Sequence, residues 1–191
     1  MTRRHCSNLL AISATQIAFI VGLGAGQRAN EQAESLKAFS DHVKQYIDLQ
    51  KKAESALPSL KETDHPEQIE AHRVALASAI RAARANAKPG DIFNGASEQF
   101  RAVIRDDGRE RSARDAFAAM QEVPKFTPPR VNAAYPEKAA LATVPPLILK
   151  RLPLLPDGLE YRFMGRDLIL RDGKSNLIVD FIHEAVPTIR K

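Results

Sequence analysis

Between Leu159 and Ile182 the chain reads LEYRFMGRDLILRDGKSNLIVDFI, with apolar and polar positions alternating at period two through three segments. That spacing predicts three half-buried strands. Met164-Gly165-Arg166-Asp167 separates the first two, and Gly165 can take the positive φ that a two-residue II′ turn requires. Pairing through this turn sets Phe163 opposite Leu168, Tyr161 opposite Leu170 and Glu160 opposite Arg171, the last an opposite-charge match. Asp172-Gly173-Lys174-Ser175-Asn176 makes the second turn. An even-length loop there puts Leu177, Val179 and Phe181 on one face with Leu159, Tyr161, Phe163, Leu168 and Leu170. Burying these eight side chains, at roughly 1.5–3 kcal/mol each, is worth at most about 12–24 kcal/mol. A meander so apolar on one side needs a cover.

The upstream chain supplies it with a different period. From Arg28, the residues Ala29, Ala33, Leu36, Phe39, Val43, Tyr46, Ile47, Gln50 and Leu57 share one sector at 100° per residue, and Pro58 ends that helix. A second helix opens at Thr63-Asp64-His65-Pro66-Glu67, with Asp64 as cap, and runs to about Ala87 before Pro89-Gly90. Its stripe is Ile69, His72, Leu76, Ala79, Ile80 and Ala83. Asn94 caps a third helix that faces Phe100, Val103 and Ile104 inward and breaks at Asp106-Asp107-Gly108. A fourth spans Arg109 to about Glu122. Eight prolines then punctuate the chain from Pro124 to Pro156, where only Pro145 to Leu152 suits a short helix, capped by Thr143. Tyr135, Val144, Leu147, Leu152 and Leu154 are too apolar for a free linker, so this stretch should lie extended against the body.

Composition adds the most at the N-terminus. Thr2-Arg3-Arg4-His5 is basic, Leu9 to Leu23 is an apolar run, and Gly24-Ala25-Gly26 offers small residues before the polar chain begins. This is the layout of a secretory signal peptide over residues 1–26, cleaved after Gly26. The alternative is an uncleaved inner-membrane anchor through residues 9–26, since the run approaches the ~18–20 residues needed to span. The 191 residues carry a net +5, and losing Arg3 and Arg4 leaves about +3. That charge is too mild, and an aromatic content of 6% with no Trp too sparse, for a nucleic-acid partner. Cys6, the one cysteine, lies in the signal, so the exported chain should hold no disulfide and no cysteine-based site.

Phe39…Val43…Tyr46…Leu57-Pro58, then Gly90-Asp91-Ile92-Phe93, then Tyr135-Pro136-Glu137…Thr143-Val144-Pro145-Pro146, then the run from Leu159 to Ile182, together resemble a family of exported bacterial proteins. The resemblance spans most of the mature chain and is strongest in its last third. It implies export and brings no assigned activity. The strand hairpin is also similar to the small β-module of periplasmic nickel/cobalt-homeostasis proteins.

Candidate chemistry is thin. His42, His65, His72 and His183 include no i,i+4 pair; His65 and His72 are seven apart, so no metal site is expected. His72 suits a core position and His65 a capping turn. No nucleophile elbow or Ser-x-x-Lys stands in a suitable context. Asp91 and Asp167 are the acids in conspicuous settings, and both read better as turn residues than as acid–base groups. One feature stands out on the second helix. Arg73, Arg81, Arg84 and Lys88 fall within an arc of about 80°, either a solvated face or a docking strip for anionic lipid, envelope polymer or an acidic partner.

These readings combine into an α+β protein. A signal peptide precedes one domain over residues 27–191, with helices over 27–123, a Pro-rich extended connection over 124–157 and the meander over 158–184. No catalytic residue, cofactor or metal is expected. The function expected is an exported, periplasmic, non-enzymatic envelope interaction or structural module. The alternative is a periplasmic protein handling a small ligand or metal.

Overall fold

The computed structural model describes residues 18–60, 64–110, 128–136 and 142–187; most of the expected export signal and most of the expected fourth helix lie outside them. It has the α+β architecture anticipated, with helices laid on one face of an antiparallel sheet. The sheet contains β1 (Ala142–Thr143), β2 (Leu159–Met164), β3 (Asp167–Asp172) and β4 (Leu177–Ile182) in the order β1-β2-β3-β4. The three long strands form the meander. Tyr161 pairs with Leu170, Phe163 with Leu168 and Glu160 with Arg171, the register the turn dictates. Gly165 has φ +61°, the left-handed value that a β-carbon disfavours and the turn needs. The two-residue β1, read earlier as connecting chain, pairs with Arg162 and Phe163.

One expectation about the meander fails for a geometric reason. Leu170 faces Asp180 while Arg171 faces Ile178, so Val179 is an extra residue in β4. Such a bulge reverses the alternation beyond it. Ile182 therefore joins Leu177 and Val179 in the helix-covered core, whereas Phe181 packs on the opposite face beside Tyr135, Met164, Ile169 and Ile178.

The cover consists of α1 (Ala18–Ser55), α2 (Pro66–Ala83), a 3-10 turn (Asn94–Ala96) and α3 (Ser97–Glu110). α1 begins well before Arg28 and runs unbroken across Gly26, but its core contacts start near Leu36. Phe39 stacks on Phe93 (5.4 Å) and meets Phe100 edge-on (5.0 Å), and Tyr161 of β2 closes the group. Aromatic pairs of this kind add about 0.5–1.5 kcal/mol each beyond their burial.

Several helix boundaries differ from the pattern. α2 is preceded by His65, not Asp64, with no side-chain cap, and it stops at Ala83 because Arg84 leaves helical geometry (φ −116°, ψ 33°). Of its stripe, Leu76 and Ile80 are buried, whereas Ile69 is 49% exposed; only the last turns of α2 reach the core. Asn94 is not a cap but opens the 3-10 turn at φ +37°. α3 continues through Gly108, where a helical glycine costs only about 1 kcal/mol. A last short helix, α4 (Pro146–Leu149), follows Pro145 and has no side-chain cap, so Thr143 does not supply one. Tyr135, Val144 and Leu152 are buried as expected, but Leu147 and Leu154 point to solvent.

Candidate functional site: the open edge of β2

Every strongly buried acid on the helical face of the sheet serves the fold. The bulge turns Asp180 toward the helices, where its carboxylate accepts the backbone N–H groups of Gly90 (2.7 Å), Ile92 (2.8 Å) and Phe93 (3.0 Å). It caps the turn into α3 from across the molecule. Burial pushes its carboxyl above the ordinary range against the opposing pull of those N–H groups. Asp172, also fully buried, accepts the Tyr46 hydroxyl, the Gln50 amide and the Ser175 hydroxyl, each at 2.7 Å. Burial first, and then the Asp172 charge and hydrogen bond, push the Tyr46 hydroxyl far above its usual range. Neither acid was singled out by its sequence setting. For Asp180 the available signal was a lone Asp in an otherwise apolar strand; Asp172, at the end of a strand that also holds Asp167 and Arg171, had none.

The four cations expected on the second helix, of which Arg84 and Lys88 lie beyond the end of α2, do not present one free row. Arg84 lies over the Tyr46 ring at 5.1 Å and donates to the Asn132 side chain (3.1 Å) and the Val179 carbonyl (3.0 Å). Burial lowers its guanidinium from the usual value. Arg81 donates to the Asn132 carbonyl at 2.9 Å, so both arginines strap residues 130–136 to the domain. That strap pairs with β4 through Asn132, Ala133 and Tyr135. Arg73 is clamped by Glu70 in a bidentate pair, and Lys88 remains at the surface. Among the acids weighed earlier, Asp91 accepts the Lys88 N–H at 2.7 Å, a turn role. Asp167 is buried and binds the His183 ring (2.9 Å) and the Glu184 N–H (2.7 Å), while its second oxygen has no partner. His183 itself is largely exposed. His42 approaches the Ile92 carbonyl at 3.2 Å, and His65 pairs with Glu67. Among the described residues no group of three or more His, Cys, Asp or Glu could hold a metal ion.

A different place combines apolar exposure with charge. β1 covers β2 only at Arg162 and Phe163, and the chain then turns away through Pro145-Pro146 into α4. An open groove of about 350 Å³ beside β2 is lined by Val144, Leu149, Pro153, Leu154 and Leu155. Leu159, Glu160, Tyr161 and Arg162 of β2 complete its lining. Leu154 is 96% exposed, and Leu147 and Leu149 are about half exposed nearby in sequence. At the polar side, Glu160 pairs with both Arg162 and Arg171, so the trio carries one net positive charge. Burial pushes Glu160 upward, but the two guanidiniums outweigh it and hold the carboxyl below its usual value. Arg171 also lies over the Tyr135 ring at 5.1 Å and grips Asn176.

No family model, curated protein or solved structure matches this chain. Among the described residues no helix is long and apolar enough to cross a membrane.

Proposed function

We propose that this is an exported, non-enzymatic bacterial interaction module of the cell envelope, with the groove along β2 as its contact surface. The observation that carries this reading is the apolar rim of the groove. Leu154, 96% exposed, and Leu149, 42% exposed, line the same groove, and adjoining exposed apolar side chains around a groove mark an interaction surface. By contrast Asp172, Asp180, Arg84 and Tyr46 are all engaged in holding helices to sheet. Export rests on the basic and apolar N-terminal pattern. Because α1 is helical through Gly26, cleavage there belongs to the translocating, unfolded chain.

Fractionation of the native cell tests both parts. Protein from the envelope fraction should begin at or near Gln27, and Leu154→Glu should shift it from the envelope-bound to the soluble periplasmic pool without changing its Tm. An intact Met1 in the membrane fraction would replace export by anchoring. Unchanged retention of Leu154→Glu would remove the groove from the reading.

A further inference from the structure

We propose that the β2 groove takes an extended segment of a partner protein in which leucine-type side chains flank an acidic residue. This deepens the interaction reading above and rests on it. Three features define the occupant. First, no strand pairs with Leu159–Tyr161 on the β1 side among the described residues; the Leu159 N–H already donates to the Pro156 carbonyl, so an extended chain can lie there against the remaining backbone groups of this edge. Three residues of strand span about 10 Å, room for one segment and not for a folded surface. Second, the groove is open, whereas sites for small molecules enclose most of their ligand. An open apolar slot suits a side chain whose backbone remains outside it. Third, charge selects among apolar segments. Arg162 lines the groove and shares Glu160 with Arg171, and Lys150 stands exposed beside Leu149. Against these three cations stand Glu160 and the exposed Asp157, which leaves a local excess of one positive charge, so a carboxylate beside the apolar anchor is favoured over an ammonium.

The outward leucines sharpen the geometry. Leu152 is buried while Leu154 is almost wholly exposed, so the segment after α4 turns one side chain into the core and the next-but-one out over the groove. Leu154 is placed to close over an occupant as a flap. Its replacement should therefore weaken binding and leave folding alone.

The test uses the mature chain and two fluorescein-labelled hexapeptides, Thr-Leu-Glu-Leu-Thr-Val and its counterpart with Lys in place of Glu. Fluorescence anisotropy should show the Glu peptide binding at least tenfold more tightly. Leu154→Glu should abolish that binding at an unchanged Tm. Arg162→Gln should erase the preference for Glu over Lys while retaining the apolar affinity; Lys150→Glu, at an exposed position, provides the same readout if Arg162→Gln fails to fold. Equal affinity for both peptides, binding indifferent to Leu154→Glu, or no binding by either peptide would overturn the proposal. So would light scattering that shows a dimer lost in Leu154→Glu, because the occupant would then be a second copy of the chain. If Leu154→Glu leaves the envelope while neither peptide binds, the interaction reading stands and the acidic-segment inference falls.

Discussion

On the helical side of the sheet, Asp172 and Asp180 are completely buried and accept their hydrogen bonds from the chain's own helices, turns and, at Phe181, strand β4. On the other side, Glu160 sits between two arginines and keeps about a third of its side chain in solvent. The first arrangement consumes its polar groups in fixing tertiary structure: Asp180 ties β4 to the entry of α3, and Asp172 ties β3 to α1. The second leaves charge and apolar surface side by side at the sheet edge. Buried, satisfied carboxylates specify how the layers meet. Half-exposed charge next to exposed leucine is available to something outside the domain.

The comparison breaks most visibly at Asp180. Replacing it with Ala leaves the N–H groups of Gly90, Ile92 and Phe93 without their acceptor, and each buried orphan donor costs about 1–3 kcal/mol. A loss of about 4 kcal/mol or more is expected, against a typical total of about 5–15 kcal/mol. Urea denaturation reads it directly. A midpoint within error of wild type would mean that the carboxylate does not join the layers.

Tyr46→Phe is a milder probe of the same face. It removes one hydrogen bond to Asp172 and should cost about 1–3 kcal/mol at neutral pH. It also carries a pH signature. Because the native Tyr46 hydroxyl is raised far above its usual value, the unfolded chain loses this proton near pH ~10 while the native chain keeps it. The native state then binds more protons, so stability falls as pH rises beyond that point. Tyr161, raised by burial, acts in the same direction. Tyr46→Phe should therefore flatten the alkaline decline in Tm without abolishing it; a decline as steep as wild type would show that Tyr46 titrates normally.

The sheet was readable in the sequence because one turn fixes it. Gly165 sets the hairpin, and period-two spacing then determines how β2 pairs with β3. The bulge was not readable. Nothing in Leu177–Ile182 marks Val179 as the extra residue, since a bulge without glycine leaves no local trace, and so Phe181 was placed on the wrong face. The same limit hid the cap: Asp180 acts on residues about ninety positions away, and Asn94 looked locally sufficient. Arg84 belonged to the basic strip only while α2 was taken to continue; once the helix ends at Ala83, its side chain turns inward. The groove was least legible, because no periodic rule separates buried Leu152 from exposed Leu154 in a Pro-rich stretch.

The smallest expected effect sharpens the contrast by its sign. Glu160 is held below its usual value by Arg162 and Arg171, whose pull exceeds the upward push of burial. Its stabilisation is present above the unfolded carboxylate value of about 4.3 and is lost as pH falls through the lower native value. Asp180 behaves oppositely. Its native value is raised, so the native state holds a proton that the unfolded chain has released, and stability falls as pH rises through that interval. Glu160→Gln should cost only about 1 kcal/mol or less near neutrality, since the pair is partly solvated and screened. As pH falls below the unfolded glutamate value of about 4.3 the cost should shrink toward zero, while above the unfolded aspartate value of about 3.9 the variant should retain the decline in stability that Asp180 contributes. Chemical denaturation of wild type and variant across pH 2–7 measures both. A cost that grows on acidification would mean that Glu160 is stabilised as the neutral acid, placing it with the buried acids of the helical face and not with the open edge.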